Sequence, residues 1–425
     1  MIRLLVSMTL AIMLVFSVSQ PVFAADYAKG TEASPAKAAI TKILKMPIGT
    51  TTPKAKFTFE FEALTVDDEA ATSTNMPKIG DKYAIFDGTE TNIGTGGIKE
   101  VFKETDNIVE DVDWPHAGVY IYKVTEKRDT WTTPADADYT DEMTFTSMSY
   151  NLEVYVDNKA DGSGVYVMYI AAVLKTRDDG TAVTTQVKVD PTPGDPEIEG
   201  DHSDMIFTNT YLKKTGGTDP KDPKDTVLEI SKKVTEKMAD QSKYFEFIVT
   251  VSSPEIGVAT GAAYKAYVIG KEDGVEKVVT SSKNGTIAGN DANGSFIMFT
   301  AGTAQTVNLK HGERLVFLEL PVGSSFTVTE SAVSEYTAGY SLILDGKTPA
   351  EQTNQSDNTP LEITKSYIGE SKNSAAFSNA FKTVTPTGLS VDDMPFYILI
   401  GAAIAILSGY LVFRFRRKET NNAYK

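Results

Sequence analysis

The 425-residue chain has no cysteine, only three histidines and only two tryptophans. Without thiols there is no disulfide framework, no thiolate zinc site, no iron–sulfur cluster and no cysteine nucleophile. His116, His202 and His311 are scattered without metal-ligand spacing, so neither a metal nor a cofactor is expected. Positive charge is also short: 41 Lys and Arg face 57 Asp and Glu, a net charge of −16. That leaves no basic face to neutralise phosphates, and nucleic acid is not an expected partner. No convergent pair of acidic residues stands out, which counts against a secreted hydrolase. Long amphipathic helices are missing between the two termini. What remains is an acidic chain with 41% hydrophobic and 10% aromatic residues, foldable into two or three domains.

Both ends read as addresses. Met1-Ile2-Arg3 is followed by an apolar run from Leu4 to about Val18 and by Val22-Phe23-Ala24-Ala25. A positive start, a short apolar core and small residues near a cut describe a secretory signal peptide over residues 1–24. At the other end, Met394 to Phe413 is uncharged and mostly apolar, matching the roughly 20 residues that a spanning helix needs. Arg414, Arg416, Arg417 and Lys418 follow, which places this end in the cytoplasm. Upstream stands Val384-Thr385-Pro386-Thr387-Gly388. With the span and basic tail of residues 389–425, this pentapeptide resembles the cell-wall sorting signal of Gram-positive surface proteins. The family pattern is Leu-Pro-x-Thr-Gly, cleaved by a sortase between Thr and Gly. Thr387 and Gly388 fit it, whereas Val384 and Thr385 replace its first two positions. The resemblance implies secretion, transient membrane contact through the C-terminal helix, and then attachment at the cell surface.

Between the addresses, apolar and polar residues alternate with period two. Phe57, Phe59 and Phe61 share one strand face; Tyr150, Leu152, Val154 and Val156 share another, with a hairpin turn at Asp161-Gly162. Tyr244–Val251, Val307–Leu309 and Arg314–Leu320 read as further strands. The fold class is therefore all-β, two tandem sandwiches of the immunoglobulin-like kind. Residues 213–226, with two prolines and no core former before Thr226, read as an extended linker. It separates an N-terminal domain, 37–212, from a C-terminal domain, 227–383. Residues 25–36 form an N-terminal extension.

Three polar positions recur in both halves. Each opens with a strand carrying lysine, Lys42 or Lys232. Each has an internal strand ending in glutamate, Glu126 or Glu330. Each closes with asparagine between apolar residues, Phe207-Thr208-Asn209-Thr210-Tyr211 and Phe377-Ser378-Asn379-Ala380-Phe381. Side chains two apart share a face, so all six fall on the apolar side of their strands. Burying an unpaired ammonium or carboxylate costs several kcal/mol, so the three types are expected as partners. The alternative is a strand-end residue whose tip reaches water. Low dielectric favours the neutral forms, and a neutral amine is a nucleophile. Attack on the asparagine amide, with glutamate shuttling protons, would release ammonia and leave an isopeptide bond.

These sets, the strings Gly118-Val119-Tyr120-Ile121-Tyr122-Lys123-Val124-Thr125-Glu126 and Leu320-Pro321-Val322-Gly323-Ser324-Ser325-Phe326-Thr327-Val328-Thr329-Glu330, and the sorting signal resemble streptococcal-type backbone pilins. The resemblance implies crosslinks Lys42–Asn209 and Lys232–Asn379, assisted by Glu126 and Glu330. Lys45 and Lys233, on the opposite strand parity, are the neighbours that would upset this pairing. It further implies a pilus shaft subunit, joined through Thr387 by a sortase to a lysine of the next copy. No lysine lies between Val189 and Leu212, where the family's acceptor usually stands. Lys188 is the nearest candidate, with Lys175 and Lys213 as rivals. A wall-anchored adhesin or basal pilin with the same crosslinked domains is the other reading.

Overall fold

The computed structural model describes residues 27–128, 131, 139–224, 226–353, 359–382 and 394–422. The signal-peptide reading and the sorting residues Thr387 and Gly388 lie outside the described residues. In the first half the alternating segments form β1 (Ala28–Lys29), β2 (Thr41–Pro47), β3 (Ala55–Val66), β4 (Glu69–Ala70), β5 (Lys82–Phe86), β6 (Ile98–Glu104), β7 (Gly118–Lys127), β8 (Tyr139–Thr144), β9 (Ser149–Asn158), β10 (Val165–Thr176), β11 (Ala182–Val189) and β12 (Ile206–Thr215). The second half holds β13 (Leu228–Thr235), β14 (Phe245–Ser252), β15 (Ala263–Glu272), β16 (Val275–Val278), β17 (Gly289–Asp291), β18 (Gly294–Thr300), β19 (Gln305–Leu309), β20 (Arg314–Phe317), β21 (Ser325–Glu330), β22 (Tyr336–Ile343), β23 (Ala350–Thr353), β24 (Leu361–Tyr367) and β25 (Asn373–Phe381). The strand read over Arg314–Leu320 stops early, because Glu319 takes a left-handed backbone (φ 62°) that breaks the pleat.

Each half is a sandwich of two sheets. In the first, a sheet ordered β1-β10-β9-β7-β3-β4, with β11 also on β10 and β5 on β3, faces β6-β2-β12-β8. In the second, β17-β18-β15-β20-β13-β25-β22-β23, with β16 on β15, faces β19-β14-β21-β24. Period-two faces fill the space between, with Phe57, Phe59, Tyr120, Leu152 and Phe207 in the first core. Phe247, Val328, Phe317 and Phe377 do the same in the second.

One pairing repeats in both halves and is parallel, unlike the hairpin ladders around it. β2 runs beside β12, with Lys42 opposite Phe207 and Leu44 opposite Asn209. β13 runs beside β25, with Lys232 opposite Phe377 and Val234 opposite Asn379. The opening and closing strands of each sandwich are thus neighbours in the same register. They need no tight turn, since the whole domain is the crossover between them.

The segment 213–226 is not an extended spacer. Lys213–Thr215 belong to β12, and Lys214 bridges to Pro321 of the second sandwich. Thr215 N–H donates to Leu320 O at 2.8 Å, and Val322 N–H to Lys213 O at 2.8 Å. Further on, Asn293 Nδ2 donates to Thr218 O and an Arg314 guanidinium nitrogen to Lys221 O. Composition showed polar side chains; it did not show that the backbone carbonyls were already claimed. Glu370 strengthens the junction by accepting from Thr51 N–H (2.6 Å), Thr51 Oγ1 (3.0 Å) and Lys213 Nζ (3.2 Å). Gly323 permits the close approach: its φ is +80°, and a Cβ there would lie 2.5 Å from Pro47 Cβ. Beyond the sandwiches, α1 (Met394–Asn422) contains an apolar span, Met394–Arg414, of mean hydropathy 2.2. It is long and apolar enough to cross a bilayer.

Glu370→Ala removes three donors' shared acceptor at the junction. Hydrogen bonds to a charged acceptor contribute roughly 1.5–3 kcal/mol, so amide exchange at Thr51 should accelerate about ten- to hundredfold. Exchange mass spectrometry on the folded chain checks this; unchanged Thr51 protection would contradict it.

Candidate functional site

The two parallel strand pairs carry the six repeated polar residues into the cores. Lys42 is the second residue of β2, and the strand runs on to Pro47. Its tip therefore has no route to water along the strand, and the side chain is 0% exposed. Lys232 lies midway along β13 and is equally enclosed. Asn209 and Asn379 sit on the neighbouring strands and are buried. Glu126 and Glu330 come from across each sandwich, at the ends of β7 and β21 in the facing sheets, and are also buried.

In the first sandwich Lys42 Nζ donates to Glu126 Oε2 at 2.7 Å, and Asn209 Nδ2 donates to Glu126 Oε1 at 2.8 Å. One carboxyl thus bridges the amine and the amide. Asn209 Oδ1 accepts from the main-chain N–H of Thr146 at 3.0 Å. In the second sandwich Glu330 Oε1 accepts from both Lys232 Nζ, at 2.5 Å, and Asn379 Nδ2, at 2.7 Å. Glu330 Oε2 and Asn379 Oδ1 are buried with no hydrogen-bond partner among the described residues. The strand period exposed all six side chains to reasoning; the Thr146 amide, a backbone group, left no signature in it.

Phenyl rings dry both sites. Phe57 lies 4.8 Å from Lys42 Nζ, and Phe59 packs on Phe207 with ring centres 5.1 Å apart. Phe245 and Phe247 lie 4.3 and 5.6 Å from Lys232 Nζ, and Phe247 packs on Phe377 at 5.1 Å. Burial pushes both ammonium groups down to about 8, against the opposing pull of the adjacent carboxylate. Burial likewise pushes Glu126 and Glu330 up. Each pair titrates as a unit. Moving the shared proton from nitrogen to oxygen turns an ion pair into a neutral amine and a carboxylic acid, the forms that low dielectric favours. Such an amine, held on the same carboxyl as the asparagine amide, has the chemistry that aminolysis needs.

Residue types alone do not make such a site. Asn284, Glu313 and Lys310 repeat the trio in the second domain, with Asn284 Nδ2 donating to Glu313 Oε2 at 3.1 Å. There the Lys310 ammonium stands 40% exposed and 3.7 Å from the carboxylate. Asn284 Oδ1 is held by Ser281, and Nδ2 also donates to Asn308 O. That amine stands open to water, and the amide is committed elsewhere.

The other candidates are dispersed. Lys45 pairs with Glu100 at 2.9 Å, a third exposed, and Lys233 is exposed; neither joins the buried sets. Lys188, on β11, reaches Glu153 Oε2 at 3.1 Å. It borders a groove of about 380 Å³ lined by Tyr27, Tyr155, Tyr169 and Ala171. Lys213 is enclosed in the domain junction beside Glu370, and Lys175 is exposed.

Residues 226–379 match a family model described as a domain of unknown function, DUF7601. No curated protein matches the chain. Among solved structures, the major pilin from Streptococcus pyogenes is 18% identical, covering 82% of this chain and 99% of its own, with a TM-score of 0.32. The major pilin T3.2 from Streptococcus pyogenes serotype GAS13637 is also 18% identical, covering 81% and 98%, at 0.29. The pilus-presented adhesin Spy0125 (Cpa) is 15% identical, covering 55% of this chain and 36% of its own, at 0.23. TM-scores this low describe no common overall superposition, so the fold stands on the chain's own sheets.

Replacing the amide while keeping the ion pair isolates the titration. In Asn379→Ala, folded Lys232 releases its proton near 8, whereas in the unfolded chain it holds it to the ordinary value of 10.5. The unfolded state then binds more protons between those values, so stability rises with pH across that window. Urea unfolding at stepped pH, as a difference from the unsubstituted chain, reads the slope; a flat or falling difference contradicts it. Over 82% of its length the chain aligns, at 18% identity, with the major pilin from Streptococcus pyogenes.

Proposed function

We propose that the protein is a shaft subunit of a sortase-assembled surface pilus of a Gram-positive bacterium, each sandwich closed by a self-formed Lys–Asn isopeptide bond. The observation that carries this reading is the repeated buried trio between parallel opening and closing strands. Lys42 would join Asn209, and Lys232 would join Asn379. The neutral Nζ attacks the amide Cγ and the new C–N bond forms. Glu126 or Glu330 takes a proton from Nζ and hands it to Nδ2, which leaves as ammonia. Atoms balance with no cofactor, and the step runs once per site, so this is self-processing rather than turnover.

The register suits a load-bearing fibre. Force entering at β2 or β13 and leaving at β12 or β25 would shear the parallel ladder. A covalent bond between those strands carries the load instead. By the chain-entropy model used for disulfides, closing loops of this size contributes roughly 5 kcal/mol each; the mechanical effect is the larger.

Polymerisation needs a donor and an acceptor. On this reading Thr387 is the donor, handed on by a pilin sortase after the C-terminal helix has held the chain in the membrane. Lys188 is the acceptor favoured by its surroundings. It is one-third exposed beside Glu153, and the tyrosine groove next to it suits an extended Val384–Thr387 segment of another copy. Lys213 is committed to the domain junction.

Co-expression with a pilin sortase in a Gram-positive host provides the test. Surface extracts should give a ladder of covalent multimers, and Lys188→Arg should reduce it to monomer while Lys175→Arg leaves it intact. A ladder surviving Lys188→Arg would move the acceptor elsewhere. A single wall-linked band from the unsubstituted chain would replace the shaft role with that of a basal pilin or adhesin.

A further inference from the structure

The two trios are chemically alike but not equally finished, and the difference lies in the backbone. The β8–β12 ladder ends at Thr144 opposite Thr210. The chain then leaves the sheet through Phe145–Met148 before β9 begins. That exit frees the Thr146 N–H from any ladder partner and turns it onto Asn209 Oδ1 at 3.0 Å inside the core. The loop is fixed at this residue. Thr146 Oγ1 accepts from Met148 N–H at 3.0 Å, Thr146 O accepts from the Arg128 guanidinium at 3.2 Å, and Ser147 N–H donates to Asp178 O. In the second sandwich the corresponding neighbour, β22, stays paired with β25 from Tyr336 to Ile343, through Ala338 opposite Asn379. No loop opens there, and Asn379 Oδ1 has no donor among the described residues.

Aminolysis of an amide passes through a tetrahedral intermediate whose former carbonyl oxygen becomes negative. A donor already aimed at that oxygen in a dry site stabilises it without reorganisation. Resting on the crosslinking chemistry above, we infer that the Thr146 main-chain N–H is the oxyanion donor of the first sandwich, and that the second sandwich lacks one. When Lys42 Nζ bonds to Asn209 Cγ, the carbonyl electron pair moves onto Oδ1, which the Thr146 N–H stabilises by donating its hydrogen bond. The pair returns as the Cγ–Nδ2 bond breaks and ammonia leaves with the proton carried by Glu126. In the second sandwich Glu330 touches only the amide nitrogen of Asn379, and no donor among the described residues is aimed at Asn379 Oδ1. The Lys42–Asn209 bond therefore forms faster than Lys232–Asn379 in the same molecule.

The second crosslink acts as an internal clock for the first. The full chain is made in a cell-free system and sampled over time. Tryptic mass spectrometry counts each crosslinked peptide pair, and protease resistance marks when each domain has folded. Counted from folding, Lys42–Asn209 should lead. Thr146→Pro, which deletes the N–H, should slow that bond alone by about 10²–10³-fold, the range for one lost oxyanion donor. Thr146→Val keeps the N–H, loses only the hydroxyl tie to Met148, and should still close ahead of the second sandwich. Equal rates in the unsubstituted chain overturn the inference even if Thr146→Pro fails to fold, as does a folded Thr146→Pro chain at the original rate. Absence of both crosslinks from the unsubstituted chain overturns the underlying chemistry instead.

Discussion

A lysine amine, a glutamate carboxyl and an asparagine amide enclosed together between two sheets form the contact on which the molecule turns. Each group alone is expensive to bury. Together they pair through one carboxyl, which accepts from both the amine and the amide, and dehydration by Phe57, Phe59, Phe245 and Phe247 drives the shared proton toward the carboxyl. An unreacted ion pair of this kind is weak support for a fold, since desolvation offsets much of its attraction. The covalent product proposed above would remove both charges from the core.

Topology brings the three groups together. The lysine and asparagine belong to adjacent parallel strands with the same register in both halves, while the glutamate reaches over from the facing sheet. Folding must bring the two ends of each domain together and stack both sheets before the three groups meet. On the proposed chemistry, unfolded or half-paired chains would thereby be protected from premature crosslinking. The junction extends the same logic, because β12 does not end at the first sandwich. It continues into the Lys214–Pro321 bridge, with Glu370 tying Thr51 and Lys213 alongside. The two sandwiches are coupled through paired backbone rather than hung on a loose tether.

Much of this was legible in the residues. Period-two alternation located strands such as β3, β9 and β14, and the same period assigned Lys42, Lys232 and their partners to the apolar side. What stayed hidden depends on contacts distant in sequence or on groups common to every residue. Glu370 meets Thr51 across 319 positions, which no local pattern encodes. The polar stretch 213–226 has the composition of a spacer, but Asn293 and Arg314 hold its carbonyls. Glu319 ends β20 through a backbone angle that its side chain does not advertise. The Thr146 amide matters because of where a ladder stops.

The account is tested most directly by the intact mass of a soluble chain spanning residues 27–382, purified without sortase. Crosslinking as proposed predicts a mass lower than the sequence mass by two molecules of ammonia, with tryptic peptides joined through Lys42–Asn209 and Lys232–Asn379. A folded chain of full sequence mass, cleaved freely by trypsin at both lysines after denaturation, would contradict it.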